Sequence, residues 1–299
     1  MKFLSSENLV ENAVRKTLTS YFGRQVEIYL SGALGGGCIS NASKIETSEG
    51  TFFLKWNADV PIDLFLREAD GLKALKQAAG DHLLIPDVIA AKAVDEIPGF
   101  IVLEYLEAGS FSRNSDEILG RGLAHIHKFS NKQYGFDHST YCGSTPQNNS
   151  WNNDWVTFYR DNRLRFLIEL IREKRSLSAE ENKIYLQLLD RLQQIISEDS
   201  TPALIHGDLW SGNYMATVKG PAIIDPACSF CDREMEFGII TMFGGFSNKF
   251  FNAYNEVYPL PVEWKDRNAL YQLYHVLNHY YLFGGGYRNQ ALQIAKGYL

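Results

Sequence analysis

Cysteine is scarce in this chain: 299 residues carry four, at Cys38, Cys142, Cys228 and Cys231. So few in a chain of this length argue against a disulfide framework. No run approaches the roughly 18 apolar residues of a spanning helix, so no transmembrane segment is expected. Basic charge is not in excess either. The formal net charge is -6, whereas DNA, RNA and anionic lipid all favour a basic footprint. Nucleic-acid and membrane partners are therefore not expected. The first residues lack an apolar core and carry Glu7 and Glu11, which does not read as a signal peptide. Without a secretion signal, Asn41-Ala-Ser43 and Asn148-Asn-Ser150 read as chance matches to the glycosylation pattern. A cytoplasmic location is expected. Repeats and low-complexity tracts are also missing.

What remains is ordinary globular composition, 45% hydrophobic and 21% charged, long enough for one large domain or two lobes sharing a cleft. Residues 6–22 place Leu9, Val10, Ala13, Val14, Leu18 and Phe22 at helical spacing, and Gly23 stops the helix. Short strands are then predicted at Gln25–Leu30, Ala42–Thr47, Thr51–Trp56, Val88–Val94 and Gly99–Tyr105, with one helix across 62–79. After Glu107 the pattern turns helical, over 115–129, 151–173, 179–197, 232–256 and 264–283. One β-like stretch, Ala203–Asp225, interrupts these helices. The expectation is an α+β protein of two lobes: a β-rich lobe over 1–106 and a helical lobe over 107–299, with the ligand cleft between.

Chemistry concentrates in Leu204-Ile-His-Gly-Asp-Leu-Trp-Ser-Gly-Asn213, followed by Ala222-Ile-Ile-Asp-Pro-Ala227. Phosphoryl transfer asks little covalent help of a protein. It needs a carboxylate to orient and deprotonate the attacking hydroxyl, and metal ions to bridge the phosphates. Mg²⁺ is hard and takes carboxylate and amide oxygens. Asp208 and Asn213 lie five residues apart on one loop, suited to a base and an amide metal ligand. Asp225, closing the apolar stretch Ala222–Ile224, is the second expected metal ligand. Singly, each reads as a turn, cap or strand-end residue. The ordered set of His206, Asp208, Asn213 and Asp225 does not.

The small lobe supplies the matching ATP site. Leu34-Gly-Gly-Gly-Cys-Ile-Ser40 is a glycine turn whose Gly35, Gly36 and Gly37 backbone suits phosphate. Alone it would be a plain hairpin. Lys55 ends Phe52-Phe53-Leu54-Lys55, and Glu68 follows thirteen residues later on the predicted helix. Such a lysine and glutamate pair up in kinases to hold the α- and β-phosphates.

With these residues in place, the chain resembles the fructosamine-kinase family, related to the aminoglycoside phosphotransferases and choline kinases. The resemblance rests on His206-Gly-Asp-Leu-Trp-Ser-Gly-Asn213, including Trp210, and on Gly36-Gly-Cys-Ile-Ser40. It continues in Tyr141-Cys-Gly-Ser-Thr-Pro-Gln-Asn148 and Leu270-Tyr-Gln-Leu-Tyr-His-Val-Leu-Asn-His279, nearly the whole chain. It implies a protein-kinase-like fold and ATP- and Mg²⁺-dependent phosphorylation of the 3-hydroxyl of a ketosamine, free or protein-bound. The product then decomposes and frees the amine. It further implies that Lys55 and Glu68 hold phosphate and that Glu104 to Leu106 offer hinge backbone to adenine. Asp208 is the base, and Asn213 and Asp225 bind metal. The chain departs from protein kinases in lacking Asp-Phe-Gly and Ala-Pro-Glu. It departs from the family in Cys228-Ser-Phe-Cys231, which replaces a Tyr-rich stretch expected at the substrate rim.

Other residues divide between roles. Trp210 could be core, but beside Asp208 it suits stacking on a sugar face. His279 is either a substrate-rim donor or a satisfied helix histidine. Cys228 and Cys231 have zinc-site spacing without a second pair, so buried packing is expected. His125 and His127 point apart on a helix and read as structural. Cys38, beside the glycines, is a candidate for oxidation. An aminoglycoside- or choline-type kinase is the alternative activity. A dead, scaffolding pseudokinase would lack one of Lys55, Asp208, Asn213 and Asp225, and all are present.

Overall fold

The structure, a computed structural model, describes residues 6–33, 40–94, 97–196 and 199–299. Helix α1 (Ser6–Phe22) precedes strands β1 (Ile28–Ala33), β2 (Asn41–Thr47) and β3 (Gly50–Asn57). Helix α2 (Leu64–Ala79) and strands β4 (Val88–Val94) and β5 (Ile97–Glu104) follow. The five strands form one antiparallel sheet in the order β1-β2-β3-β5-β4. Its two faces follow from the period-2 alternation of strand side chains. Phe52, Leu54, Phe100 and Val102 pack with Val10, Val14 and Leu18 of α1. Ile101 and Leu103 face the other way, onto Phe65, Leu72 and Leu75 of α2. Lys55, one residue on from Leu54 and paired with Ile101, is thereby directed to the α2 side. That alternation is what makes a lysine in an apolar strand useful.

Beyond β5 the chain is mainly helical. Helix α3 (Ser115–Lys128) leads to a hairpin, β6 (Thr140–Cys142) and β7 (Thr145–Gln147). A helical turn α4 (Trp155–Thr157) runs through a π-helical stretch (Phe158–Arg165) into α5 (Phe166–Arg175) and then α6 (Ala179–Ile195). The expected β-like stretch resolves into β8 (Ala203–Ile205), a 3₁₀ turn (Ser211–Asn213), β9 (Tyr214–Thr217) and β10 (Gly220–Ile223). Strand β11 (Ser229–Cys231) pairs with β8, and α7 (Glu234–Phe243), α8 (Asn248–Val257), α9 (Trp264–Phe283) and α10 (Tyr287–Gly297) complete the chain. Among the described residues, no helix is long and apolar enough to cross a membrane.

Two sequence expectations need correction. The helix predicted over 232–256 is two helices, broken where Gly244 and Gly245 take φ of 67° and 101°, a conformation glycine adopts without steric cost. The first strand sits later, at Ile28–Ala33 rather than Gln25–Leu30. Cys228-Ser-Phe-Cys231 is buried throughout, as expected of the two cysteines. Cys228 lies against α2, where a Cβ on Gly71 would come within 3.3 Å of its sulfur. Among the described residues no third metal ligand gathers around Cys228 and Cys231.

Candidate active site

The loop after β8 carries Asp208, and its shape is imposed from beneath. Gly207 has φ 81°, and a Cβ there would lie 2.2 Å from the Ala227 carbonyl oxygen. Only glycine fits that approach. His206 is fully buried and ties the two motif segments together: Nε2–H donates to the Ile224 carbonyl (2.8 Å) and Nδ1 accepts from Asp208 N–H (3.3 Å). Burial holds its pKa below the ordinary histidine value, consistent with that neutral tautomer.

Beneath the loop lies Glu236 of α7, with no exposed surface. Its carboxylate accepts the backbone N–H of His206, of Gly207 (3.1 and 3.2 Å) and of Leu209 (3.4 Å). Burial would raise its pKa. His127 and His206 together with the loop amides reverse that and hold it below the ordinary glutamate value. His127 Nε2 stands 3.7 Å away, too far for a hydrogen bond, and burial keeps His127 itself in the neutral form. The contact is therefore dipolar rather than ionic. His127 Nδ1 bonds Tyr254 Oη at 2.8 Å, whereas His125 stacks on His82 with centroids 3.5 Å apart. The two histidines do point apart.

From this platform the predicted residues form one continuous chain of contacts. Asn213 Nδ2 donates to the Asp208 carbonyl (2.8 Å) and to Asp208 Oδ2 (3.1 Å), and more weakly to the Asp225 carbonyl (3.4 Å). With the amide so oriented, Oδ1 is left to face a cation. Lys55 Nζ lies 2.9 Å from Asp225 Oδ1 and 3.0 Å from Glu68 Oε2. Burial would lower the lysine pKa, but Glu68 and Asp225 outweigh it and hold the ammonium charged. Glu68 is pushed up by burial despite Lys55, with Asp225 adding to the push. Asp225 itself takes φ 56°, a left-handed conformation that costs a non-glycine residue about 1–3 kcal/mol and clusters at functional sites.

Asp208 keeps some residue surface at the cleft, but its carboxyl is enclosed. Burial raises its pKa to about 8, with the Glu236 charge adding to the effect. Beside it, the Trp210 indole lies over Gly212, where a Cβ would fall 2.3 Å from the ring. Trp210 meets Phe243 (centroids 5.7 Å), Phe243 meets His279 (5.4 Å), and His279 meets Phe283 (5.7 Å). These four rings form an aromatic wall. Nδ1–H of His279 donates to the His275 carbonyl at 2.7 Å, so one nitrogen is already committed.

The remaining predicted positions are less central. Glu104 donates its N–H to the Asp87 carbonyl (2.8 Å), and its carboxylate pairs with Lys219 (3.2 Å). Leu106 is buried. Gly35, Gly36, Gly37 and Cys38 lie outside the described residues. Sequence reasoning missed Glu236 as the loop's anchor; an acidic residue on an apolar helix was the available signal. It also missed Cys142 and His275, which meet Asp208 from β6 and α9.

A family model for fructosamine kinase matches residues 10–299. The chain belongs to the fructosamine-kinase family. It is 36% identical over 301 residues to a chloroplastic protein-ribulosamine 3-kinase of Arabidopsis thaliana, covering 100% of this chain and 91% of the relative. A solved structure from Thermobifida fusca, assigned as a fructosamine-3-kinase, superposes with a TM-score of 0.85 at 27% identity, covering 96% of this chain and 98% of that one. An aminoglycoside phosphotransferase crystallised with AMP-PNP and hygromycin B shares the fold at a TM-score of 0.63 and 14% identity, covering 95% and 98%. The fold is thus the two-lobed, kinase-like one. This fructosamine-kinase family member is an ATP-dependent phosphotransferase acting on a hydroxyl group.

Proposed function

We propose that the chain transfers the γ-phosphoryl group of ATP to the sugar 3-hydroxyl of a ketosamine, which destabilises the adduct and releases the amine. The observation that carries this reading is the unbroken run Lys55–Asp225–Asn213–Asp208 at 2.8–3.4 Å spacings beside an aromatic wall. The acceptor oxygen bonds to the γ-phosphorus, the bond to the β–γ bridging oxygen breaks, and ADP leaves. Asp208 orients the hydroxyl and takes its proton. Lys55, positioned by Glu68, neutralises phosphate charge. Trp210 and the wall supply apolar faces for the sugar–amine adduct.

The donor set fits Mg²⁺: Asp225 offers a carboxylate, Asn213 an amide oxygen, and both are hard oxygen ligands. Lys55 already sits where Asp225 attracts positive charge. Bound there, Mg²⁺ supplies charge neutralisation at the phosphates. Turnover should vanish with EDTA, return with Mg²⁺ or Mn²⁺, and survive a zinc-selective chelator. Full turnover in metal-free buffer would remove the metal roles of Asn213 and Asp225.

The acceptor is tested with a panel: a ribulosamine, an erythrulosamine, a fructosamine and kanamycin, read as ADP release. A ketosamine is expected to lead. Trp210→Ala should then raise its KM about 2- to 30-fold, with KM for ATP nearly unchanged, because stacking and cation–π contacts are worth about 0.5–2 kcal/mol. Preference for kanamycin, or an unchanged ketosamine KM in the variant, would overturn the acceptor assignment.

A further inference from the structure

Cys142, Asp208 and His275 each present a ligand atom, and these atoms all lie within 4.8 Å of one another. They arrive from three elements, the β6 strand, the loop after β8 and the α9 helix. Cys142 and His275 are 3% and 1% exposed. A second observation points to a ligand here: His275 Nδ1 is buried without a hydrogen-bond partner, as is Asn278 Oδ1 one turn along the same helix. Buried polar atoms are seldom left so. Asn278 Nδ2 lies 3.2 Å from Cys142 Sγ, placed to donate to a thiolate. Nothing in the phosphotransfer uses the thiol or this imidazole.

We propose that Cys142, His275 and Asp208 form an inhibitory site for a thiophilic divalent cation, Zn²⁺ in the first place. Thiolate, imidazole and carboxylate are the donors zinc prefers, at about 2.0–2.3 Å, with a fourth position left to water. Ligand atoms on such a tetrahedron stand about 3.3–3.8 Å apart, so the three need close only modestly. Mg²⁺, which favours oxygen, is not drawn to this sulfur and nitrogen pair. Binding forms the Zn–S bond as the Cys142 proton passes to solvent, with no change of oxidation state. The site adjoins Asn213, whose amide donates to Asp208, while Cys142 and His275 belong to this site alone.

The binding claim stands on this geometry alone; inhibition follows only if Asp208 acts as the base. The two are measured separately. Zn²⁺ titrated into the nucleotide-free full chain, against a competing zinc indicator, should show one tight site per chain. Co²⁺ in its place should give a thiolate-to-metal charge-transfer band. Cys142→Ser and His275→Gln should each weaken zinc at least tenfold, since even partners outside the ligand set are worth 10- to 100-fold in affinity. Cys142→Ser should also abolish the cobalt band, with Cys142→Ala as the second variant and Cys228→Ser as an unaffected control. Equal zinc affinity in wild type and both Cys142 variants, or loss of the band in Cys228→Ser, overturns the site. Relative to each protein's own zinc-free rate, zinc should slow wild-type turnover and spare Cys142→Ser. A tight, Cys142-dependent site with undiminished turnover would overturn the inhibitory role and, with it, the position of Asp208 at the chemistry.

Discussion

Asp208→Asn should lower kcat by about three decades while nucleotide binding survives, because general-base catalysis is worth roughly 10²–10⁴ and the phosphate contacts lie elsewhere. The substitution is nearly isosteric, so the Asn213 contact at 2.8 Å to the Asp208 carbonyl should persist. Lys55, Glu68 and Asp225 are untouched, and titration with an ATP analogue should give a nearly unchanged Kd. A variant keeping more than about a tenth of wild-type kcat would refute the base assignment. The wild-type pH profile offers an independent reading. A base must be unprotonated to accept, and burial raises this carboxyl to about 8. Acceptor kcat/KM should therefore climb with rising pH as the carboxylate forms. Cations at Asn213 and Asp225 favour the carboxylate form, so the limb in kcat should lie at lower pH. Asp208→Asn should flatten it.

The proximity of the candidate residues was legible in the sequence where it is local. Asp208, Asn213 and Asp225 sit in two short segments whose spacing reports their shared loop, and the structure joins them through the Asn213 amide. Lys55 and Glu68 were legible for a related reason: the strand's period of two and a single small-lobe helix leave them few ways to avoid meeting. Helix ends were less legible, since apolar spacing runs smoothly through Gly244 and Gly245 and only their positive φ marks the break. The hairpin at Thr140–Gln147 and helix α10 were not anticipated. The hairpin strands are three residues each, too short for a period to show, whereas α10 carries Tyr287, Ala291, Ile294 and Ala295 at helical spacing that was overlooked. Least legible were Cys142 and His275, separated from Asp208 by dozens of residues, because tertiary packing alone brings them together. Cys228 and Cys231 are buried, as the missing second pair of ligands had led one to expect.

Glu236 illustrates how much of an active site rests on a residue that never meets substrate. Its carboxylate holds three loop amides, those of His206, Gly207 and Leu209, from a position with no exposed surface. Glu236→Ala would leave those donors buried and unpaired, each costing about 1–3 kcal/mol. The whole substitution should destabilise by about 3–5 kcal/mol, the cost of leaving those three buried donors without an acceptor. At roughly 2–4 °C per kcal/mol for a chain of this size class, Tm should fall by about 6–20 °C. Activity should drop at temperatures where the variant is still folded, because Asp208 rides on the same amides. Glu236→Gln keeps one acceptor oxygen and the side-chain volume, and should recover part of the stability. The effect should also carry a pH sign. Glu236 is held below its ordinary pKa, so its contribution is present above the unfolded value of about 4.3 and disappears as pH falls through the folded one. Melting curves of wild type and Glu236→Gln should therefore converge on acidification. A Glu236→Ala variant melting within about 2 °C of wild type at neutral pH would show that the loop holds its shape without this anchor.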